Sequence, residues 1–277
     1  MPLIVYAVVI SAALLHAGWN AIVKSAGDKF LTTIMVTAAA AALSAALLPF
    51  LPAPAPSSLP YAGASALLQI AYFLLIARTY QIADMSQAYP LMRGTAPLIV
   101  ALLSMLRMGE SLSPIAWSGV IGISLGIFSI ALDNRRKNRR GVYLALLNAL
   151  VIASYTLIDA AGVRRSGAPA AYTLWVFLLT GLPLTLWAFA ARRYNFVSYV
   201  GRHWRLGIAG GIGATASYGL ALWAMTVAPI AVVAALRETS ILFGTVIAAL
   251  VLKEHIGPRR VIAACVIACG AGILRLA

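Results

Sequence analysis

The chain has 277 residues, of which 62% are hydrophobic and 10% charged, and its 21 Lys+Arg against 7 Asp+Glu give a formal net charge of +14. An average soluble domain carries about 25% charged residues, and a chain this apolar cannot cover its folded surface with polar atoms. The hydrophobic content also excludes a disordered chain, and two cysteines do not make a disulfide scaffold. The composition therefore indicates an integral membrane protein.

Ten apolar stretches of the sequence are long enough to cross about 30 Å of hydrocarbon. In chain order they cover residues 3–23, 30–51, 60–80, 85–106, 113–132, 141–163, 169–191, 206–226, 229–251 and 258–276. Their long uninterrupted runs predict helices, because the strands of a membrane barrel alternate over about ten residues. The predicted fold is an all-α integral membrane protein with ten transmembrane helices. Its longest connection, residues 192–205, is too short for a separate domain.

The Lys and Arg residues fall mostly on one side of the predicted membrane. Fifteen lie on that side and four on the other, while Arg93 and Arg237 lie inside spans. Because cytoplasmic loops carry the excess of Lys and Arg, this count predicts an inner-membrane protein with both termini extracytoplasmic. We interpret the run DNRRKNRR, residues 133–140, as a topology anchor that touches anionic lipid and not as a nucleic-acid site.

The chain contains an internal repeat, in which the stretch from residue 77 to 132 recurs from residue 221 without a gap. The aligned pairs are Arg93 with Arg237, Thr95 with Thr239, Glu110 with Glu254, Pro114 with Pro258 and Gly126 with Gly270. Five spans per half is an odd number, so the second half crosses the membrane with the opposite polarity. The predicted domains are thus two inverted five-helix repeats, residues 1–134 and 141–277. Repeats of this kind place a substrate site near the midplane between the halves.

Two five-helix halves, with Gly109–Glu110 and Lys253–Glu254 ahead of the last span of each, resemble the drug/metabolite transporter superfamily, EamA type. The resemblance implies a secondary-active exporter of small metabolites, above all amino acids, that works by alternating access. Within the superfamily the chain is most similar to the YddG-like exporters of aromatic amino acids. Small multidrug-resistance relatives carry a glutamate eight residues before a lysine in their first span. This chain has His16 eight residues before Lys24, so the resemblance does not imply their proton coupling.

Two alternatives remain open at this point. The same fold accommodates a drug carrier or a nucleotide-sugar-type carrier, and an intramembrane enzyme or lipid-handling protein is an alternative of another class. The sequence contains no Walker loop, no paired CxxC and no HExxH, and its three histidines are scattered. We therefore expect no enzymatic activity, no catalytic residue, no metal and no cofactor. The expected partners are a small-molecule substrate and membrane lipids, with no nucleic acid, and a chain that holds both halves is predicted to work as a monomer.

Ionisable groups inside the hydrocarbon are candidates for function, because such groups are costly to bury without a partner. Arg93 and Arg237 lie about eight residues into spans that enter from opposite sides, so their guanidiniums are expected to flank the midplane. There they would hold a carboxylate through two parallel donors. Glu238 offers the opposite charge for the amine of an amino acid. The alternative is a structural ion pair that joins the halves.

Further polar and aromatic residues share helix faces with these charges. His16, Trp19 and Asn20 are spaced by three and four residues in span one, and Tyr89 precedes Arg93 by four. The predicted substrate-binding residues are His16, Trp19, Asn20, Tyr72, Tyr89, Arg93, Tyr155, Tyr218, Arg237 and Glu238. For the aromatic residues, packing or an interfacial position is the alternative. Asp159 shares a face with Tyr155, but we expect both Asp159 and Lys24 to reach the headgroups from near the ends of their spans.

Prolines and glycines indicate where helices bend or touch. Pro90 and Pro97 bracket Arg93, and a proline removes a backbone hydrogen bond, so we predict a gating hinge at these two positions. Two small-xxx-small pairs predict close helix contacts, namely Gly122 with Gly126 and Gly207 with Gly211.

Overall fold

The computed structural model describes residues 1–83, 85–131, 139–251, 253 and 257–277, and helix is the only regular secondary structure in these ranges. Ten helices follow one another along the chain: α1 (Leu3–Ser25), α2 (Lys29–Leu47), α3 (Leu59–Ile82), α4 (Met85–Met108), α5 (Pro114–Ala131), α6 (Arg139–Ser166), α7 (Pro169–Val227), α8 (Ile230–Arg237), α9 (Ser240–Leu250) and α10 (Pro258–Leu276). Short 3₁₀ turns at Leu48–Phe50 and Pro56–Ser58 connect α2 to α3. Glu254 and most of the basic run at 133–140 lie outside the described residues.

Local sequence explains where several of these helices begin and end. Pro114, Pro169 and Pro258 each occupy the first helical position, where the missing N–H costs no hydrogen bond. The α2 helix starts after Asp28, whose carboxylate accepts a hydrogen bond from the backbone N–H of Leu31 at 2.9 Å. Gly167 directly follows α6 with φ at +64°, a left-handed conformation that commonly ends helices and favours glycine.

The α7 helix is two spans joined by helical backbone. Gly181 and Gly211 both lie against one short part of α2, between Thr37 and Ala41. A straight helix would hold these two glycines about 45 Å apart, so the chain folds back between them. We call Pro169–Ala191 the first arm and Asn195–Val227 the second arm of α7. The stretch 192–205, expected to be a connection, is therefore helical.

The ninth span is interrupted near its middle, contrary to the single helix expected over 229–251. The N–H groups of Glu238 and Thr239 donate to carbonyls three residues earlier, each at 3.0 Å, in place of the fourth-residue bonds of an α-helix. This 3₁₀ turn separates α8 from α9. A 3₁₀ stretch within a helix often accompanies a hinge or a functional site. The equivalent stretch of the first half, in α4, is continuous helix despite Pro90 and Pro97.

The two halves, α1–α5 and α6–α10, pack against each other through equivalent helices. The α1 helix packs against the second arm of α7 and against α9, while α6 packs against α3 and α4. The first helix of each half thus lies against the third and fourth spans of the other half. The α5 and α10 helices, which end the two halves, pack against each other. This arrangement confirms the ten-span fold of two inverted repeats.

Glycines let several of these helices approach closely, as the small-xxx-small spacing predicts. A Cβ added at Gly126 would lie 2.8 Å from Ile267 and 3.2 Å from the carbonyl oxygen of Ala263 in α10. A Cβ at Gly207 would lie 2.7 Å from Met35 in α2. The packing interpretation of both glycine pairs is confirmed, and close backbone contact supplies much of the attraction between helices in lipid.

The outer surface is apolar, as a lipid environment requires. Leu67 and Leu106 are each 71% exposed, and exposed Leu, Ile and Phe side chains occur on most of the helices. Eight helical stretches among the described residues are long and apolar enough to cross a membrane. The α5 helix is shorter, and α10 carries Arg259, Arg260 and Arg275 at its ends. The chain is a multi-pass membrane protein.

Candidate functional site

A buried ion pair joins the two halves at the centre of the molecule. The Nε of Arg93, on α4, lies 2.8 Å from Oε2 of Glu238, at the turn between α8 and α9. Both side chains are nearly inaccessible, with 10% and 6% of their surface exposed. The Nη2 of Arg93 is buried, and no hydrogen-bond acceptor for it is found in the part of the chain that the structure describes. The Nη2 group of Arg93 can therefore still donate a hydrogen bond to a bound molecule.

A small cavity lies beside this pair, with about 20 Å³ of space for a water-sized sphere. Its lining comes from α4, α6, α8 and the turn after α8, and comprises Arg93, Ala96, Pro97, Val100, Ile152, Tyr155, Thr156, Ala234, Arg237 and Glu238. Two cations and one anion thus face a largely apolar space. These charges can hold the carboxylate of a small molecule once the cavity widens, since guanidiniums bind carboxylates through charge-assisted hydrogen bonds.

Arg237 is held differently from Arg93. Its guanidinium carbon lies 5.1 Å from the centre of the Tyr218 ring, a cation–π distance. Of the described carboxylates, none forms an ion pair with Arg237. Glu238, its neighbour in the sequence, pairs with Arg93 instead. The structure thus brings together Arg93, Arg237, Glu238 and Tyr218, all of them singled out from the sequence.

Three of the predicted tyrosines lie in one cluster, and one of them lines the cavity. Tyr155 lines it, and the ring of Tyr72 lies 6.3 Å from that of Tyr155 in an edge-to-face contact. Tyr89 packs in the same cluster, around Met92 at the centre of α4. All three are partly buried, so they shape one wall of the interior between α3, α4 and α6.

Of the three residues predicted in span one, His16 and Asn20 make their described contacts within α1, while Trp19 also lies beside Gly213 of α7. The ring of His16 lies 5.2 Å from that of Trp19, edge to face. The side-chain amide of Asn20 donates to the carbonyl of His16 at 2.7 Å, a bond within one helix. A binding role for these three residues stays a prediction.

The prediction for Asp159 is wrong. This residue is completely buried and does not reach the headgroups. Its Oδ1 accepts a hydrogen bond from the hydroxyl of Tyr172 at 2.9 Å, and its Oδ2 accepts from Ser65 at 2.7 Å and also from Tyr218. These partners are 13 to 94 residues away in the sequence, so spacing along α6 gave no signal for them. Lys24, in contrast, is exposed.

A second ion pair closes the end of the molecule where α4, α6 and α7 terminate. The Nη2 of Arg164 lies 2.6 Å from Oε1 of Glu110, and its guanidinium also donates to the carbonyls of Met225 and Ala228. The Oε2 of Glu110 accepts the backbone N–H of Ile230 at 2.9 Å. The pair thus caps the end of α7 and the start of α8 together. The repeat singled out Glu110, but sequence reasoning missed Arg164 as its partner.

Comparisons with known proteins support the same architecture. The sequence model of the EamA-like transporter family matches the chain twice, over residues 3–132 and 139–276. A comparison with curated protein sequences finds no significant match. Among solved structures, 29 chains match significantly, so the fold recurs in other proteins. One of them, a crystal structure, aligns over 98% of both chains with a TM-score of 0.75 at 18% identity, a similarity of fold alone.

Proposed function

Because the chain belongs to the EamA-like transporter family, we propose that it is a secondary-active exporter of small amphipathic metabolites, amino acids foremost. The observation that carries this proposal is the group of Arg93, Glu238 and Arg237 around a cavity between the two halves. Intramembrane charges are rare and commonly mark a substrate pathway. A zwitterion presents a carboxylate to the guanidiniums and an ammonium to Glu238, so each of its charges meets an opposite one.

In the proposed complex the substrate carboxylate lies between the two guanidiniums. Arg237 has its donors available because its described contact is with the face of the Tyr218 ring. Arg93 contributes its unpaired Nη2, while Glu238 accepts from the substrate ammonium. Tyr155 and the apolar lining residues then contact the side chain of the amino acid. The interior tyrosines favour substrates with an aromatic or large apolar side chain.

Alternating access is the proposed mechanism, with the cavity facing each side of the membrane in turn. The packing of α1 and α6, each against the other half, supports it, because one half can rock against the other while the site stays between them. The 3₁₀ turn at Glu238 supports it as well, since a substrate there contacts the weakest part of the ninth span.

The proposed setting is the inner membrane with both termini extracytoplasmic. The excess of Lys and Arg on one side of the bilayer supports this orientation. The Glu110–Arg164 pair then lies at the extracytoplasmic end, where it would hold the exit closed. A single chain carries both halves of the site, so we infer that a monomer transports.

Counterflow in proteoliposomes tests the proposal. Vesicles with purified protein are preloaded with one unlabelled amino acid and then given a trace of the labelled compound. Arg237→Ala should weaken the apparent affinity about 10- to 150-fold, the effect of losing a hydrogen bond to a charged group. Arg165→Ala is the matched control, because Arg165 is exposed at the end of α6, against Tyr61. Absence of exchange for every amino acid would refute the substrate class, and equal affinity in Arg237→Ala would remove Arg237 from the site.

A further inference from the structure

Asp159 lies in a cluster of hydroxyl groups that links four spans. Ser65 comes from α3, Tyr172 from the first arm of α7 and Tyr218 from the second arm, and all three hydroxyls donate to the carboxylate. Gln69 in turn donates to the hydroxyl of Ser65 at 3.1 Å. Gly162 makes room for this arrangement, because a Cβ there would overlap the hydroxyl of Tyr172.

The carboxyl has no positive partner in direct contact. Within the described residues, neither a lysine nor an arginine forms an ion pair with Asp159, which is fully buried. Titratable and charged groups face this interior from the surrounding helices: Arg93 from α4, Tyr155 from α6 itself, Tyr172 and Tyr218 from α7, and Arg237 with Glu238 at the end of α8. Glu238 differs from Asp159 in this respect, because it forms a direct ion pair with Arg93 at 2.8 Å.

We propose that Asp159 binds and releases the proton to which transport by this protein is coupled, an inference that rests on the proposed function. Burying a carboxylate without a counter-ion is costly, and binding a proton removes that charge. The hydroxyls of Tyr172, Tyr218 and Ser65 can each rotate to accept a hydrogen bond from the neutral carboxyl, because a hydroxyl both donates and accepts. The cluster therefore accommodates both states of Asp159.

Tyr218 connects this carboxyl to the substrate cavity. Its hydroxyl contacts Asp159, and its ring lies against Arg237, which lines the cavity. A proton that reaches the Tyr218 oxygen from a cavity water replaces the one that Tyr218 passes to Oδ2 of Asp159, so the tyrosine returns to its starting state. Tyr218 does not line the cavity itself, so water that reaches its hydroxyl completes the route.

Protonation also changes the charge available to the substrate. With Asp159 ionised, the charges of Arg93, Arg237, Glu238 and Asp159 sum to zero. With Asp159 neutral, the interior carries one net positive charge, and Arg237, which contacts Tyr218 beside Asp159, holds the carboxylate of the substrate more strongly. Proton and substrate therefore bind cooperatively.

Infrared difference spectroscopy between acidic and alkaline buffer tests this inference on the purified protein without substrate. We expect a carbonyl band of a neutral carboxylic acid at acidic pH in the wild type. The band should persist in Glu238→Gln, the matched control, and disappear in Asp159→Asn. Tyr172→Phe keeps the acid but removes one hydrogen bond, so its band should remain and shift in frequency. The proposal is overturned if the wild type shows no such band. It is also overturned if the band is lost in Glu238→Gln and kept in Asp159→Asn.

Transport supplies the second readout. In proteoliposomes, Asp159→Asn is expected to retain counterflow and to lose accumulation driven by a pH gradient. Accumulation equal to that of the wild type in this variant would overturn the coupling role. If no amino acid is exchanged, the proposed function fails while the infrared spectra still decide whether Asp159 takes up a proton.

Discussion

Losing one partner of the Arg93–Glu238 pair should destabilise the protein far more than replacing both. The two atoms are 2.8 Å apart and both side chains are buried, so the pair belongs with buried ion pairs and not with surface ones. At this distance the attraction is about 6 kcal/mol for an effective dielectric constant of about 20. Much of it is offset by the loss of hydration, but a single replacement leaves one charge buried alone, at a cost of about 3–5 kcal/mol.

A double-mutant cycle measures this effect. We expect Arg93→Met and Glu238→Gln each to lower the free energy of unfolding by about 3–5 kcal/mol, and the double variant to fall within about 2 kcal/mol of the wild type. The assay is reversible unfolding in mixed micelles of mild detergent and dodecyl sulfate, followed by circular dichroism. Single variants within about 1 kcal/mol of the wild type, or strictly additive losses, would refute the ion-pair argument.

Three further predictions concern packing, closure and the cation–π contact. Gly270→Ala should lower the free energy of unfolding by about 1–3 kcal/mol, because its Cβ would meet the backbone of Ile123 and Gly119. Gly272→Ala, whose Cβ meets nothing within 4 Å, is the control and should stabilise by up to about 1 kcal/mol in the same unfolding assay; equal losses would contradict the crossing geometry. The role of the Glu110–Arg164 pair in closing the cavity is tested by labelling Ala234→Cys with an impermeant maleimide, in a chain whose native cysteines are replaced (Cys265→Ala, Cys269→Ala). Arg164→Ala should raise this labelling about 5-fold, if the partly exposed pair contributes about 1 kcal/mol to the closed state. Unchanged labelling would mean that the Glu110–Arg164 pair does not gate the cavity. Tyr218→Leu should raise the KM for counterflow about 2- to 30-fold, the range of a cation–π contact, and Tyr218→Phe should not, because it keeps the ring. An equal effect of both would assign the role to the hydroxyl.

Most of the fold could be predicted from hydropathy, because a segment that crosses hydrocarbon has to be apolar and about 20 residues long. The helical stretch at 192–205 was missed because it is rich in Arg and Tyr and gives no hydropathy signal. The interruption of the ninth span was missed for another reason. No proline marks the turn at Glu238 and Thr239, and the contact of Glu238 with Arg93 joins two helices that are distant in the sequence.

The site could be predicted only in part. Arg93, Arg237 and Glu238 stand out because charged residues are costly in an apolar span, and the repeat places the two arginines in equivalent positions. Asp159 was misjudged because its position near the end of the predicted span suggested an exposed side chain. Its burial depends on Ser65, Tyr172 and Tyr218, which come from other helices, and no local pattern reports contacts between helices.

The most direct test of the central claim is counterflow by the wild-type protein, with vesicles preloaded in turn with single amino acids. A carrier with a zwitterion site predicts saturable exchange that ranks the amino acids, strongest for aromatic and large apolar side chains. It also predicts no exchange for the corresponding amines, which lack the carboxylate for Arg237. Exchange of the amines at the rate of the amino acids, or no saturable exchange of any amino acid, would contradict the account.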